Sequence, residues 1–224
     1  MPGSSDRSIR GMGDPWRAGI DSSLHAVTQR LELRTLTPDA VNDAYVGWWN
    51  DPLIQTRLAS KPRGWTLEQA RRHVMRFDNR WNFHLGIYWR ESAALIGFTS
   101  IQVDSVSKVC INNTVIGDKT MWRFGVAREL YAWTIPFAFQ HLDVRKIKAV
   151  IFGANEPSIA LTESLGFRRE ALLRSEYPSS EGGRLDIHIF GLLKEEWLAL
   201  KAAGQQPWCC DWLPPVAPRV LQVT

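Results

Sequence analysis

The residues whose types and order could do chemistry form two short stretches. The first, Trp122-Arg123-Phe124-Gly125-Val126-Ala127-Arg128-Glu129, follows a strand pattern and a polar turn and opens a helical pattern. A helix start leaves backbone N–H groups unpaired and carries partial positive charge. Gly125 and the small Ala127 let those groups approach a ligand closely, and a phosphate or diphosphate is the guest that fits. Arg123 adds a cation at the rim. The second stretch is Asn155-Glu156-Pro157-Ser158-Ile159, closed by Leu165-Gly166-Phe167. Asn155 suits an N-cap, Pro157 the first turn and Gly166 a left-handed C-cap. Capping explains these residues one by one. It does not explain why a second helix start follows the first after one strand's length.

The elements that must position these stretches alternate between strand and helix. Residues 31–36 alternate apolar and polar, as a half-buried strand does. Thr37-Pro38-Asp39 predicts a helix running to Trp49 and stopping at Asn50-Asp51-Pro52. A second helix is expected from Thr66 to Asn82, with Gln69 at the capping-box offset. Residues 83–89 and 95–103 read as a hairpin, and 109–116 as a further strand. A helix follows over 125–141 with Pro136 inside it, then a strand at 146–152 and a short helix at 157–164. Two long strands, 167–177 and 184–193, and a last helical turn at 194–201 complete the pattern. The fold class is α/β: a mixed sheet flanked by helices. Residues 1–28 are expected to be a poorly ordered leader, 29–203 one domain, and 204–224 a tail carrying Pro, Trp and the Cys209-Cys210 pair.

Composition narrows the function classes. The chain has 224 residues, 45% of them hydrophobic and 22% charged, which suits one domain with a sizeable core. A net charge of +4 favours an anionic small ligand, and no dense Lys/Arg run points to nucleic acid. Three cysteines, Cys110, Cys209 and Cys210, form no disulfide framework. The five histidines are scattered and no zinc spacing is present, so no metal is expected. No signal-peptide core or run of about 18 apolar residues is visible, and a cytoplasmic protein without membrane contact is expected.

Taken together, the two stretches resemble the GNAT family of acyl-coenzyme A N-acyltransferases. The family's diphosphate loop has a Gln/Arg-x-x-Gly-x-Gly/Ala pattern, read here as Trp122-Arg123-Phe124-Gly125-Val126-Ala127. Trp122 departs from the first position, and Arg123-Phe124 stands where a Gly-Lys pair is frequent. Trp122 with Glu129, Asn155-x-x-Ser158-Ile159, Leu165-Gly166-Phe167, Gly183-x-x-Asp186 and Glu196-Trp197 resemble the branch of the ribosomal-protein N-terminal acetyltransferases. The resemblance covers about residues 30–200 and implies a twisted mixed sheet of about seven strands, splayed between the fourth and fifth. It implies acetyl-coenzyme A as co-substrate. The strand at 109–116, through Val115 and Ile116, then offers backbone groups to the pantetheine arm, as an added strand does. Arg123, Phe124, Gly125, Val126 and Ala127 hold the diphosphate, with Asn155 and Ser158 near the thioester.

The reaction the resemblance implies is direct attack of an amine on the thioester. It needs a neutral amine and a proton for the departing thiolate. Ser158 is the expected donor, because a hydroxyl at this position faces the sulfur in the resembling branch and Thr162 stands where the family's Tyr would be. Candidates for the base are Glu176, Asp118 and Asp186, with Glu176 preferred. Tyr45-x-x-Trp48-Trp49-Asn50-Asp51, the Ile116-Gly117-Asp118-Lys119 turn and Phe190-Gly191-Leu192-Leu193-Lys194 resemble members that acetylate nucleotide-linked amino sugars. That makes such a sugar the first expected acceptor and a protein N-terminal amine the second. Tyr45, Trp48, Trp49, Trp65, Phe77 and Trp81 are candidates for an aromatic shelf, although helical spacing makes at least half of them core. Arg57, Lys61, Arg63, Arg71 and Arg72 form either a basic patch or a solvated helix face. A homodimer is compatible with the resemblance. A reading of another class is a non-catalytic acyl-coenzyme A sensor.

Overall fold

A computed structural model describes residues 24–60, 64–153, 155–179 and 182–205. The strands are β1 (His25–Val27), β2 (Leu31–Thr35), β3 (Asn82–Trp89), β4 (Ala94–Asp104), β5 (Val109–Ile116), β6 (Lys146–Phe152), β7 (Arg168–Pro178) and β8 (Arg184–Leu193). The helices are α1 (Asp43–Asn50), α2 (Pro52–Arg57), α3 (Leu67–Val74), α4 (Val126–His141), α5 (Glu156–Ser164) and α6 (Lys194–Ala202). All eight strands join one sheet in the order β1-β2-β3-β4-β5-β6-β8-β7. Every pairing is antiparallel except β5 with β6, where α4 carries the crossover.

Strand limits follow the sequence closely, and helix limits depart from it where side chains intercept the backbone. Thr37 precedes only a 3-10 turn over Pro38–Ala40 and makes no side-chain cap. The helix proper starts at Asn42, whose Oδ1 accepts from Tyr45 N–H at 3.1 Å. Asn50-Asp51-Pro52 ends one helix and begins another: Asp51 caps the N–H groups of Leu53 and Ile54, and Pro52 takes the first turn. The Thr66/Gln69 capping box forms as expected. Its helix ends at Val74 rather than Asn82, because Asp78 accepts from the N–H groups of Arg80, Trp81 and Asn82 and folds that segment into a turn. Within the expected leader, residues 25–27 form β1, paired with β2. This adds a strand, so the family's fourth and fifth strands are β5 and β6 here. The tail from residue 206 lies outside the described residues, as do Lys61 and Arg63.

Two cores sit on opposite faces of the sheet. Leu31, Leu33, Phe83, Leu85 and Ile87 meet α4 through Leu130, Ile135 and Phe137, and α6 through Trp197. On the other face, Tyr45, Trp48, Ile54, Ala70 and Val74 pack on Phe98 and Val115. Glu129, the acid in the first turn of α4, is fully buried. It accepts from the Thr28 hydroxyl at 2.6 Å, the Arg30 backbone N–H at 2.7 Å and Arg30 Nε at 2.7 Å. The β1–β2 turn is thereby locked to the first turn of α4. In the second core, His84 is 1% exposed, and burial pushes its pKa down from 6.5 to about 3. Tyr45 Oη lies 3.0 Å from its Nε2 and Phe77 stacks on its ring at 4.4 Å.

Two outcomes follow. Glu129→Ala should lower stability by about 3 kcal/mol in denaturant titrations, since it opens a buried, fully bonded ion pair. The folded state refuses a proton on His84 that the unfolded state accepts below pH 6.5. Stability should therefore be intact above pH 6.5 and fall by up to roughly 1.4 kcal/mol per pH unit as pH drops toward about 3. His84→Gln should remove about one proton's worth of that slope; an unchanged acid limb would exclude His84 as its source.

Candidate active site

The parallel pairing of β5 with β6 stops after three residue pairs, 109 with 146, 110 with 147 and 111 with 148. Beyond them, β5 stays paired to β4 up to Ile116, and β6 stays paired to β8 up to Phe152. The sheet is thus open from residue 112 on one side and 149 on the other, at the position expected from the sequence. Hydrogen-bond direction along β5 decides which groups face the gap. Gly117 N–H bonds Ile96 O at 2.9 Å, so the carbonyl of the same peptide, Ile116 O, points away from β4 and into the gap. Trp122 Nε1 donates to that oxygen at 2.7 Å. By strand alternation, Thr114 N–H and C=O and Ile116 N–H also face the gap.

This corrects one expectation. Val115 directs its backbone to β4, opposite Phe98, and its side chain into the second core. Thr114 takes the place expected for Val115. Ile116 is at the gap, through its N–H.

At the open end lies the loop expected to hold a diphosphate. Gly125 is the N-cap of α4 with φ +75° and supplies no side-chain cap. Glu129 N–H bonds Gly125 O at 3.0 Å, and the N–H groups of Val126 and Ala127, at the first helical positions, have no helical acceptor. Arg123 also has a left-handed backbone, φ +70°, and is exposed. Phe124 between them is 62% exposed. Left-handed residues beside a helix start fold the chain into a concavity of N–H groups that suits an anion. Arg128 ties the helix to α5 by donating to Ser164 Oγ at 2.6 Å.

Across the gap, Asn155 occupies the N-cap position of α5, but its side chain does not cap. Nδ2 donates instead to Arg57 O at 3.4 Å, at the end of α2. The Arg57 guanidinium lies 3.9 Å above the Trp122 ring. The end of α2 therefore spans the mouth of the gap. Lys119, ion-paired with Asp51, ties α2 to the segment between β5 and α4. Gly117 gives Trp48 room, since a Cβ there would collide with the indole. Ser158 is half-buried one turn into α5, and its hydroxyl has no partner among the described residues.

The carboxylates separate. Asp118 caps its own turn through Thr120 N–H and hydroxyl. Asp186 accepts from Ser175 N–H at 2.8 Å and so holds the bulge in β7 between Leu173 and Tyr177. Glu176 lies on that bulge, exposed, and its carboxylate has no partner among the described residues.

The expected aromatic shelf is a core. Tyr45 and Trp48 are buried, Trp49 stacks on Trp65 at 4.7 Å, Phe77 covers His84, and Trp81 packs against the α4 core. Arg71 and Arg72 are exposed on α3, with Arg72 3.5 Å from Glu68, as a solvated face requires. A different aromatic pair is uncovered: Phe152 at the end of β6 meets Tyr177 on the β7 bulge, ring centres 5.0 Å apart. Cross-strand register puts Val150, Phe152, Ile187, Ile189, Leu173 and Tyr177 on one face of the C-terminal half-sheet. Leu173 and Tyr177 are exposed. On the same side, at the base of the gap, a cavity of about 530 Å³ is lined by Gln102, Asp104, Ile111, Arg145, Lys146 and Lys148, among others. Asp104 is spent on its own turn and Lys146 on Glu170, whereas Lys148 has no partner among the described residues. No sequence signal joined Phe152 to Tyr177, because only the β6-β8-β7 register brings them together.

Comparison with known proteins agrees with this geometry. Residues 30–168 match the profile of the acetyltransferase (GNAT) domain. The N-acetyltransferase p20 of Bacillus licheniformis is 28% identical over 179 residues, covering 76% of this chain and 96% of the relative. The spermidine N-acetyltransferase of Vibrio cholerae, solved in complex with CoA and spermine, has a TM-score of 0.68 at 18% identity, covering 75% of this chain and 98% of that one. The ribosomal-protein-S5-alanine acetyltransferase of Vibrio fischeri has a TM-score of 0.67 at 16% identity, covering 78% and 98%. At such identities the two structures speak for the fold alone. An opened sheet, a helix start ready for an anion and a family match over most of the domain lead to one assignment: the chain belongs to the GNAT acetyltransferase family and is an N-acetyltransferase.

Proposed function

We propose that the protein transfers the acetyl group of acetyl-coenzyme A to the amine of a nucleotide-linked amino sugar. The observation that carries the coenzyme half is the gap between β5 and β6, which ends at a helix start with free N–H groups. The diphosphate sits in the concavity of residues 123–127, where the N–H groups of Val126 and Ala127 and the Arg123 cation meet it. Phe124, exposed beside it, offers a ring face to the coenzyme. The pantetheine arm lies along β5 and pairs with Thr114 and Ile116 N–H, replacing the missing strand. The thioester reaches the start of α5, between Asn155 and Ser158.

The amine approaches from the face that carries α1–α3. It loses a proton to Glu176, directly or through water, and attacks the thioester carbonyl. The C–N bond forms, the C–S bond breaks, and the thiolate takes a proton with Ser158 as its hydrogen-bond donor. No covalent enzyme intermediate is required. The acceptor half of the proposal rests on the Phe152–Tyr177 pair, an apolar shelf for a base or sugar, and on unpaired cations nearby, which attract phosphate and repel a polyamine.

The test follows thiol release from acetyl-coenzyme A with UDP-glucosamine, glucosamine, spermidine and an alanyl peptide as acceptors. UDP-glucosamine should be used best. Preference for the peptide would favour the N-terminal acetyltransferase alternative, and coenzyme binding without release from any amine would favour a sensor. Gly125→Glu should weaken acetyl-coenzyme A binding at least about tenfold by setting a carboxylate against the phosphates; unchanged affinity would remove the loop assignment. Ser158→Ala and Glu176→Gln should each lower kcat by about tenfold or more with coenzyme affinity kept. A full rate in either variant removes that residue from the mechanism.

A further inference from the structure

We propose that Arg57 reads the charge of the acceptor, holding a phosphate group of the amine substrate at the mouth of the gap. This rests on the acetyltransferase reading and deepens it, since it names the residue that makes the enzyme prefer anionic acceptors. Three features of the residue carry the inference. The first is place: Arg57 O accepts from Asn155 Nδ2 while the guanidinium lies over Trp122, so the residue stands between the two walls of the gap. Asn155 leads directly to Ser158, which shares its helix face at the i, i+3 spacing.

The second feature is unspent donor capacity. A guanidinium stacked on an aromatic ring uses its face, and its in-plane N–H donors remain free for a bidentate anion. Among the described residues, none of those donors meets an acceptor and no carboxylate pairs with the cation. Other cations are committed. Lys119 is held by Asp51, Lys146 by Glu170, and Arg184 donates to the carbonyls of Ser175 and Glu176. Arg57 is thus a cation at the mouth that a ligand can use without breaking an ion pair.

The third feature is fixity. The Asp51 cap and the Lys119–Asp51 pair hold the start of α2, Gln55 Nε2 donates to Trp48 O at 3.1 Å within the second core, and Trp122 is anchored through Nε1. A cation on a fixed platform gives up little side-chain freedom when it binds, so its charge is converted into selectivity. Lys148, unpaired among the described residues, adds positive charge at the base of the same face.

The experiment is calorimetric binding of UDP to the full chain already saturated with coenzyme A, so that the coenzyme's own diphosphate site is filled. The wild-type protein should bind UDP. Arg57→Ala should weaken that binding by about tenfold or more, and Arg57→Lys by less, because it keeps the charge but loses the planar fork. Acetyl-coenzyme A affinity should change by less than about twofold in both variants, and kcat/KM for glucosamine should fall far less than for UDP-glucosamine. Absent UDP binding, equal UDP binding by all three proteins, or a matching loss of acetyl-coenzyme A affinity would overturn the assignment; in the last case Arg57 serves the coenzyme. Failure of the wild-type protein to bind coenzyme A at all would instead sink the acetyltransferase reading. Arg57→Lys keeps the experiment decisive if Arg57→Ala does not fold.

Discussion

The site depends on the orientation of a single peptide unit, the one joining Ile116 and Gly117. Its N–H is committed to Ile96 O, which obliges its carbonyl to face away from β4 toward the position a fully paired β6 would occupy. A buried carbonyl without a donor is costly, so something must satisfy it. The Trp122 indole does so from a residue that also begins the anion loop. One hydrogen bond therefore closes the end of the gap, sets the path of the loop and removes the need for β6 to continue alongside β5. The other gap-facing groups, at Thr114 and Ile116 N–H, stay available for a ligand with amides of its own.

Two half-sheets that part this way need separate support, and the core provides it. A buried polar chain runs from Thr99 through the Asn112 side chain to Thr134 on α4, with bonds of 2.8 and 2.9 Å, at the point where the pairing stops. Satisfied buried networks of this kind fix one arrangement of the elements they join. Farther along, Glu129 fastens the loop's helix to the Thr28–Arg30 turn, so the anion site is braced from the far edge of the sheet. The loop is held from both sides: by β5 through Trp122 and by the β1–β2 turn through Glu129.

Strand positions were legible because burial on one face imposes a period of two; residues 109–116, 146–152 and 184–193 follow it to their limits. Which backbone groups of β5 face the gap was not legible. That depends on the register with β4, and a shift of one residue separates Val115 from Thr114. Helix limits were misread where Asn42 and Asp78 turn their side chains onto the backbone, and the stop at Asn50-Asp51-Pro52 was read without the new helix that Asp51 caps, since such bonds leave no mark on apolar periodicity. The residues around Tyr45 and Trp48 look alike whether they serve as core or shelf; only the packing on Phe98 and Gly117 decides it. The bracing role of Glu129 was not legible because its partners lie about a hundred residues earlier in the chain. The three-residue strand at 25–27 is too short to carry a pattern.

Charge placement joins the two halves of the proposed reaction. An amine entering a gap flanked by Arg57 and Lys148 meets like charges, which disfavour its protonated form. The same cations that attract a phosphate-bearing acceptor thus ease the release of the proton that blocks attack. The demand on the proposed base is correspondingly small, and Glu176 is an exposed carboxylate with no partner among the described residues. In the proposed reaction a polyamine gains less than a phosphate-bearing acceptor, because each added positive charge raises the cost of passing Arg57. In the proposed reaction, specificity and nucleophile activation then share one electrostatic feature of the gap, whose end is closed by the bond from Trp122 to Ile116 O.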